Sequence, residues 1–390
     1  MDIKQESLKK HYEWKGKIGV ASRVKINSKQ DLALAYTPGV AEPCLEIEKD
    51  AEKSYSLTNR HNTVAVITDG TAVLGLGDIG PLASMPVMEG KCLLFKEFAD
   101  IDAIPLCINS KDVNEIVNTI KLISGSFGGI NLEDISAPRC FEIERILKEK
   151  LDIPVFHDDQ HGTAIVLAAA LINALKVVKK ELADIKVVIN GAGSAGIAIA
   201  KHILALGVKD LILCDKQGII NKETAKGNSA WEEMASITNK QNIDGILCDA
   251  VKNADVLIGV SAAGAFTEET IKLMNTDAIV FAMANPNPEI MPDVALKAGA
   301  RVVGTGRSDF NNQINNLLAF PGIFRGALDA KAKCINDEMK MAASFALASI
   351  IPENELKEDN IIVSPLNKNV AQVVAKAVKK AAEKTKVTRG

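Results

Sequence analysis

A glycine-rich segment near the middle of the chain carries the clearest chemical signal in this sequence of 390 residues. It reads G-A-G-S-A-G and consists of Gly191, Ala192, Gly193, Ser194, Ala195 and Gly196. The strand-like run Lys186–Ile189 precedes it and a helical pattern follows through Leu206, which is the context that dinucleotide binding requires. The first glycine permits a tight turn, the second lets the backbone approach a pyrophosphate, and the third allows the helix to pack closely on the strand. Free N–H groups at the start of the helix would hold the phosphates.

An acidic residue after the next strand-like run, Leu211–Cys214, bears on the choice of dinucleotide. Asp215 follows the glycine-rich loop by about 20 residues, where a carboxylate can accept hydrogen bonds from the ribose hydroxyls of NAD. Its charge would repel the 2′-phosphate of NADP, although the neighbouring Lys216 would offset that repulsion. The sequence therefore favours NAD and leaves NADP possible.

Two pairs of adjacent carboxylates form a second group of residues with chemical potential. Glu133-Asp134 follows the strand-like run Ile130–Leu132, and Asp158-Asp159 follows Pro154–Phe156. Ligands of open α/β sheets collect at the carboxyl ends of the strands. Carboxylates brought together there repel one another unless a cation lies between them, and oxygen ligands suit Mg²⁺ or Mn²⁺. The spacing alone leaves a second interpretation open, because an aspartate before a helix is commonly an N-cap.

Alternating strand and helix patterns must position both groups of residues. Short β-branched runs predict buried parallel strands at Thr63–Thr68, Ala103–Ile108, Pro154–Phe156, Lys186–Ile189, Leu211–Cys214, Val256–Val260, Ala278–Ala282 and Arg301–Val303. Helical patterns separate them, as in Asp112–Ile123 and in the helix that Pro138 opens. This alternation predicts an α/β fold with parallel sheets.

The apolar helix Thr163–Val178 is the best candidate for a domain boundary. We predict an N-terminal α/β domain over residues 1–160, which carries the acidic pairs. A Rossmann-type, doubly wound parallel-sheet NAD(P)-binding domain follows over residues 161–390. Its C-terminal tail is predicted to be helical over Ala327–Ile350 and Val370–Lys384.

Composition narrows the class of protein and its surroundings. Lys and Arg total 46 and Asp and Glu total 49, so the net charge of −3 argues against nucleic-acid binding and against attraction to an anionic membrane. The longest apolar run, Ala164–Leu175, is too short to span a bilayer, and the N-terminus shows no signal peptide. Seven cysteines without a C-x-x-C pair indicate free thiols in a reducing compartment. We therefore expect a cytoplasmic enzyme with a small-molecule substrate.

Taken together, the motifs resemble those of malic enzymes of the short bacterial type over nearly the whole chain. The segments that carry the resemblance occur in the same order as in that family: Ala35-Tyr36-Thr37-Pro38-Gly39-Val40, Thr68-Asp69-Gly70, Leu74-Gly75-Leu76-Gly77-Asp78, Glu89-Gly90-Lys91, Asn131-Leu132-Glu133-Asp134, Phe156-His157-Asp158-Asp159-Gln160-His161-Gly162-Thr163, Ala284-Asn285-Pro286, and Asn315-Asn316-Leu317-Leu318-Ala319-Phe320-Pro321-Gly322.

The resemblance implies oxidation of L-malate at C2 by NAD(P)⁺ and loss of the carboxyl group beside C3, giving pyruvate and CO₂. By position, Lys91 matches the general base of the family and Tyr36 its general acid. The residues that match the ligands of Mg²⁺ or Mn²⁺ are Glu133, Asp134 and Asp159. Those that match contacts to substrate and nicotinamide are Asn285 and Asn316, with Asn315 beside them. A lysine can act as base near neutral pH when burial and a nearby cation lower its pKa.

One residue departs from the pattern of the larger relatives. They carry an arginine that binds a substrate carboxylate where this chain has Ala72. Bidentate recognition by arginine is therefore lost at this position, and Asn285, Asn315, Asn316 or another cation must take its place.

Two other functions remain open at this point. The chain would be a metal-dependent NAD(P) dehydrogenase of another 2-hydroxy diacid, such as tartrate, or an inactive dinucleotide-sensing protein. The presence of Lys91, Tyr36 and all three metal carboxylates argues against the inactive protein. We also expect a homodimer or a larger homo-oligomer.

Overall fold

Two separate parallel sheets form the framework of the protein, as seen in a computed structural model that describes residues 3–73 and 75–389. Leu74, part of one matched motif, lies outside the described residues. The strands are β1 (Thr63–Thr68), β2 (Asp102–Cys107), β3 (Gly129–Leu132), β4 (Val155–His157), β5 (Lys186–Asn190), β6 (Asp210–Cys214), β7 (Val256–Gly259), β8 (Ala278–Ala282) and β9 (Ala300–Thr305).

Helices precede, connect and follow these strands. They are α1 (Ile3–Trp14), α2 (Lys29–Ala35), α3 (Ala41–Lys49), α4 (Ser54–Leu57), α5 (Pro81–Ala99), α6 (Val113–Ile123), α7 (Arg139–Lys150), α8 (Asp158–Val178), α9 (Ser194–Leu206), α10 (Ser229–Ile237), α11 (Leu247–Ala250), α12 (Glu268–Lys272), α13 (Pro292–Lys297), α14 (Phe320–Asp329), α15 (Asp337–Ala348) and α16 (Val370–Lys384).

The first sheet has the strand order β2-β1-β3-β4, with every neighbouring pair parallel. Its register pairs Ile67 with Leu132 and Leu132 with His157. The chain therefore leaves β3 and β4 side by side at the same edge of the sheet. The two acidic pairs are the first residues past that edge.

The second sheet has the order β6-β5-β7-β8-β9 and is also parallel throughout. The strand order reverses at β5, and the glycine-rich loop leaves β5 at that reversal. Ligands of doubly wound sheets bind at such a point. The predicted α/β class with a Rossmann-type second sheet is confirmed.

Helix α8 lies in the core between the two sheets. Val66 of β1 and Ile189 of β5 belong to one apolar cluster that also contains Ile165 and Leu167 of α8. The helix is long and apolar enough to cross a membrane, but 67% of its apolar window is buried inside the protein, as in the core helix of a folded domain. The predicted boundary between residues 160 and 161 falls within α8 and stays a prediction.

Most predicted strands lie within two residues of the observed ones, but the helical tail differs. The continuous helix expected over Ala327–Ile350 is wrong, because α14 ends at Asp329 and α15 begins at Asp337. The side chain of Asn336 accepts a hydrogen bond from the backbone N–H of Met339 (3.0 Å). This N-cap starts a new helix where the apolar periodicity alone suggested continuity.

An N-terminal arm, residues 3–50, covers little of the rest of the chain. Its large apolar side chains are exposed: Ile3, Leu8, Tyr12, Trp14, Ile18, Val20, Val24, Ile26, Leu32, Leu34, Val40 and Leu45. Lys17 ties the arm to α5 through Glu89 (3.1 Å) and the carbonyl of Pro86 (2.6 Å), and Arg23 pairs with Asp102 (2.7 Å). The arm thus carries an apolar surface unusually large for an isolated chain.

We predict a pH-dependent stability that originates in the packing of α9 on α15. His202 is buried and its Nε2 lies 2.8 Å from Ser344 Oγ; burial lowers the pKa of His202 to about 4. An unfolded histidine takes up its proton at about pH 6.5, so the free energy of unfolding should fall as the pH falls from about 6.5 to about 4. Urea titrations at several pH values measure this.

The His202→Gln variant should show a shallower decline over that range, by up to about 1.4 kcal/mol per pH unit. His61→Gln, at an exposed position, serves as the control and should follow the wild type. An unchanged slope in His202→Gln would show that this histidine does not contribute to the pH dependence.

Candidate active site

Three carboxylates converge at the edge of the first sheet. Glu133 and Asp134 follow β3, Asp159 lies in the first turn of α8, and one oxygen from each lies within 4.8 Å of the others. The backbone N–H of Asp134 donates to Asp159 Oδ2 (2.8 Å), and Asn131 Nδ2 donates to Glu133 Oε2 (2.9 Å). The structure thus brings together the three residues that the sequence suggested as metal ligands.

The electrostatics of this cluster suit a divalent cation. Burial raises the pKa of Glu133 well above its ordinary value, and the neighbouring Asp159, Asp158 and Asp134 raise it further, although Lys91 opposes the shift. Removing several carboxylates from water is costly unless positive charge compensates them. Three oxygens at this spacing fit Mg²⁺ or Mn²⁺, which prefer oxygen ligands.

Lys91 is buried against this cluster. It shares the inward face of α5 with Met88 and Phe95, which helical spacing places beside it. Its Nζ lies 2.6 Å from Asp158 Oδ2 and 2.8 Å from Glu133 Oε1. The ammonium group is therefore held between two carboxylates.

Lys91 is held in its charged form by the structure, whereas the sequence analysis expected a lysine with a lowered pKa. Burial alone would lower the pKa of Lys91, but Asp158, Glu133 and Asp159 outweigh that effect and raise it. A neutral Lys91, which a base must be, therefore requires another cation to take up the charge of these carboxylates.

Asp158 is a site residue that sequence reasoning recorded only as half of an acidic pair. It is fully buried, pairs with Lys91 and lies, like the side chain of Asn316, against Gly162. Burial raises the pKa of Asp158 to about 6, although Lys91 opposes the shift. A Cβ atom at Gly162 would overlap Asp158 Oδ1. The glycine one turn after Asp158 was therefore the sequence feature that could have indicated a buried Asp158 side chain. Asn315 caps the following turn by accepting the N–H of Leu317 (2.9 Å).

Glu144 of α7 anchors the turn that carries Asp158 and Asp159, and sequence reasoning missed it. Its carboxylate accepts hydrogen bonds from the backbone N–H of His157 (3.3 Å) and from His161 Nε2 (2.8 Å), and it forms an ion pair with Lys148 Nζ (2.7 Å). Burial alone would raise the pKa of Glu144, but His161 and Lys148 hold it well below its ordinary value. Because His157 ends β4 and His161 lies in the first turn of α8, these two bonds let Glu144 fix the geometry of the β4–α8 junction.

A loop of the first domain links the acidic cluster to Asn285 at the end of β8. The backbone N–H of Ala72 donates to the carbonyl of Asp134 (3.0 Å). Three residues later, a Cβ atom at Gly75 would lie 2.9 Å from the carbonyl oxygen of Asn285. The loop therefore brings this predicted substrate-contacting residue to the same cleft as the carboxylates.

Tyr36 does not join this group within a single chain. It lies on the N-terminal arm, just after α2, with 67% of its surface exposed. Among the described residues, its backbone bonds only to Leu32 and Val40 of the arm, and its hydroxyl has no hydrogen-bond partner.

The glycine-rich loop has the backbone geometry that its sequence predicts. Gly191 has φ +123°, a Cβ atom at Gly196 would overlap the carbonyl of Gly191, and one at Gly193 would meet nothing within 4 Å. Helix α9 begins at Ser194, so the N–H groups of Ser194 and Ala195 lie at its start. The indole of Trp231 donates to the carbonyl of Ala192 (2.9 Å) and fixes the loop from outside.

Asp215 lies directly after β6, as expected. Its Oδ1 accepts the backbone N–H groups of Gln217 (2.8 Å) and Gly218 (3.1 Å). Its Oδ2 has no hydrogen-bond partner in the described part of the chain, so this oxygen is available to a ribose hydroxyl.

Comparison with known families assigns both halves of the chain. Residues 15–115 match the N-terminal domain of malic enzymes, and residues 160–383 match the malic enzyme NAD-binding domain. The chain belongs to the malic enzyme family. Its membership explains why the acidic cluster and the glycine-rich loop occur on one polypeptide.

Relatives in this family extend over the whole chain. A bifunctional malic/malolactic enzyme of Bacillus subtilis is 56% identical over 390 residues, covering 100% of this chain and 95% of the relative. An NAD-dependent malic enzyme of Geobacillus stearothermophilus is 58% identical, covering 96% of this chain and 78% of the relative. The crystal structure of a malic enzyme from Pyrococcus horikoshii has a TM-score of 0.94 at 48% identity, covering 98% of this chain and 92% of that one. NAD- and NADP-dependent enzymes both occur among the relatives.

We predict that alanine at Gly196 and at Gly193 will have different effects. Gly196→Ala places a methyl group against the Gly191 carbonyl and should lower the free energy of unfolding by about 1–3 kcal/mol even without cofactor. Gly193→Ala has free space around it and should leave that free energy unchanged, yet weaken NAD binding because the pyrophosphate must approach this backbone. Urea unfolding and calorimetric NAD titration separate the two. Equal effects of both variants on unfolding would contradict this assignment.

Proposed function

We propose that this malic enzyme family member oxidises and decarboxylates L-malate to pyruvate and CO₂ with reduction of NAD(P)⁺, using Mg²⁺ or Mn²⁺. The observation that carries the proposal is the buried Lys91 between Asp158 and Glu133, beside three carboxylates spaced for a metal. An inactive dinucleotide sensor would have no need to bury so many ionisable groups at high cost.

The roles of the individual groups follow from their contacts. A divalent cation at Glu133, Asp134 and Asp159 would polarise the C2 oxygen of malate and take up enolate charge. A dinucleotide at the glycine-rich loop would accept the hydride from C2. Once such a cation takes up the charge of the carboxylates, a neutral Lys91 would accept the proton of the C2 hydroxyl, and Asp158, 2.6 Å from its Nζ, would hold it in position.

We infer a preference for NAD from Asp215. Its Oδ2 is available to a ribose hydroxyl, and its charge disfavours a 2′-phosphate. Lys216 moderates this preference, so NADP is expected as a weaker substrate.

We also propose a homodimer in which the N-terminal arm packs on the second copy. The exposed apolar side chains of the arm need a covering surface. The general acid expected at Tyr36 lies on this arm, away from Lys91 of its own chain. A symmetric exchange of arms would cover the apolar surface and bring Tyr36 to the partner's site, where its hydroxyl would protonate C3 of the enol.

The expected environment is the cytoplasm, with no nucleic-acid or membrane partner. The seven cysteines are free, as in a reducing compartment, and the net charge of −3 lacks the basic excess typical of nucleic-acid-binding proteins.

The proposed reaction is tested by assays with L-malate, Mn²⁺, and NAD or NADP in parallel, with pyruvate and lactate both quantified so that a malolactic activity is distinguished. We expect NADH and pyruvate in equal amounts, abolished by excess EDTA. Asp159→Asn should weaken Mn²⁺ binding, measured by calorimetry without substrate, and Asp293→Asn, at a surface position outside the cluster, should not. Full activity in EDTA would reject the proposed metal site. Faster turnover of tartrate than of malate would reject L-malate as the main substrate.

The exchange of arms is tested with hybrid dimers. Tyr36→Phe and Lys91→Ala homodimers should each lose at least about 10²-fold in turnover, as for a lost acid or base. A hybrid with one subunit of each kind, purified through two affinity tags, should recover about half of the wild-type activity, because one of its two shared sites is intact. Tyr12→Phe, also on the arm, is the matched control and should stay active. An inactive hybrid would show that Tyr36 acts within its own chain, and a fully active Tyr36→Phe homodimer would show that it does not act at all.

A further inference from the structure

The charge balance of the site calls for a cation that the residues described so far do not supply. Four carboxylates meet there: Glu133, Asp134, Asp158 and Asp159. A lysine and a divalent cation together leave an excess of negative charge, and malate itself carries two carboxylates. A cation held by Glu133, Asp134 and Asp159 would attract one substrate carboxylate, but the distal carboxylate would meet net repulsion unless another positive group binds it.

We propose that Arg307 binds the distal carboxylate of the substrate and selects 2-hydroxy dicarboxylates over monocarboxylates. This inference rests on the proposed function. Arg307 follows β9, and its Nη1 donates to the carbonyl of Pro286 (3.1 Å), next to Asn285. A Cβ atom at the preceding Gly306 would lie 3.0 Å from Asn285 Nδ2.

A continuous series of contacts places Arg307 at the cleft. Asn285 touches the loop at Gly75, and the same loop bonds through Ala72 to the carbonyl of Asp134. Arg307 is thus connected, through Pro286 and Asn285, to the loop that contains Ala72 and Gly75.

The hydrogen bonds of Arg307 leave one edge of its guanidinium available. Nε and Nη2 donate to the two oxygens of Asp309 (2.8 and 2.6 Å). Nη1 donates to Pro286, and its remaining contact, to Asn287 Oδ1, is long at 3.5 Å. In the described part of the chain Nη2 therefore keeps one unused N–H, and the second N–H of Nη1 makes only this long contact, so an end-on carboxylate can bind both terminal nitrogens. Asp309 also raises the pKa of Arg307 and holds its side chain in place.

Arg139, a second arginine near the loop, lacks such an edge. Its Nη1 donates to Lys111 O (2.8 Å) and forms an ion pair with Asp69 Oδ2 at 2.9 Å. Its Nη2 serves Thr71 Oγ1 (3.0 Å) and Ser136 Oγ (3.1 Å). Since Nη2 carries two N–H groups and both are used, Arg139 cannot offer one N–H from each terminal nitrogen to a carboxylate.

The test compares Arg307→Ala with Arg301→Ala in the full-length enzyme. Arg301 lies on β9 itself, six residues before Arg307, and pairs with Glu358 (2.6 Å), so it matches the change in charge. Arg307→Ala should raise the KM for malate by about 10- to 100-fold, with the KM for NAD unchanged. Arg307→Lys should recover part of the loss, because it keeps the charge and not the bidentate geometry. Arg301→Ala should behave as wild type.

Two further measurements separate binding from structure. Calorimetric binding of malonate, an unreactive dicarboxylate, in the presence of Mn²⁺ should weaken by a similar factor in Arg307→Ala. The ratio of kcat/KM for malate to that for lactate should fall in Arg307→Ala. It should rise again when Ala72→Arg is added to that variant. If Arg307→Ala does not fold, Arg307→Lys and Arg307→Gln answer the same question.

The possible failures are distinguishable. A wild-type enzyme that does not oxidise malate would reject the proposed function. An active wild type whose malate KM and malonate affinity are the same in Arg307→Ala would overturn the role of Arg307 alone.

Discussion

The crowding of four carboxylates at one edge of the first sheet is the constraint on which the rest of the site depends. Each must lose much of its hydration on burial, and each repels the others, so the cluster forms only where the backbone forces it to. The parallel register of β3 and β4 supplies that force by ending both strands at the same level. Lys91 offsets part of the repulsion, and Glu144 and Gly162 keep the α8 turn in the one arrangement that lets Lys91 reach Asp158.

Helix α8 connects the acidic cluster rigidly to the second domain. Its first turn carries Asp158 and Asp159, and its next four turns lie in the apolar core between the sheets. A helix packed on all sides cannot shift without opening cavities on both of its faces. The distance between the acidic cluster and the glycine-rich loop is therefore set by the packing of the core rather than by a surface linker.

Local patterns in the sequence were sufficient to locate most of this machinery. The glycine-rich loop and the acidic pairs are contiguous motifs, so their strands, turns and helix starts could be predicted without knowledge of the fold. Glu144 and Arg307 could not be predicted in this way, because each acts through a partner 13 or more residues away in the chain. These partners are His157 for Glu144 and Pro286 for Arg307. The break between α14 and α15 was missed because the N-cap at Asn336 is a local signal that the apolar periodicity obscured. The position of Tyr36 outside the cluster depends on long-range packing that no motif records.

One of the two tryptophans of this chain contacts the glycine-rich loop, and the other lies on the N-terminal arm. Trp231 holds the glycine-rich loop through the carbonyl of Ala192, whereas Trp14 lies at the end of α1 on the N-terminal arm with 54% of its surface exposed. Their indole environments differ accordingly, one half-buried and hydrogen-bonded, the other open to water. The intrinsic fluorescence of the protein therefore combines two optical signals of separate origin. Replacing either indole by phenylalanine would leave an emission spectrum that follows a single event, dinucleotide docking at Trp231 or burial of the arm at Trp14.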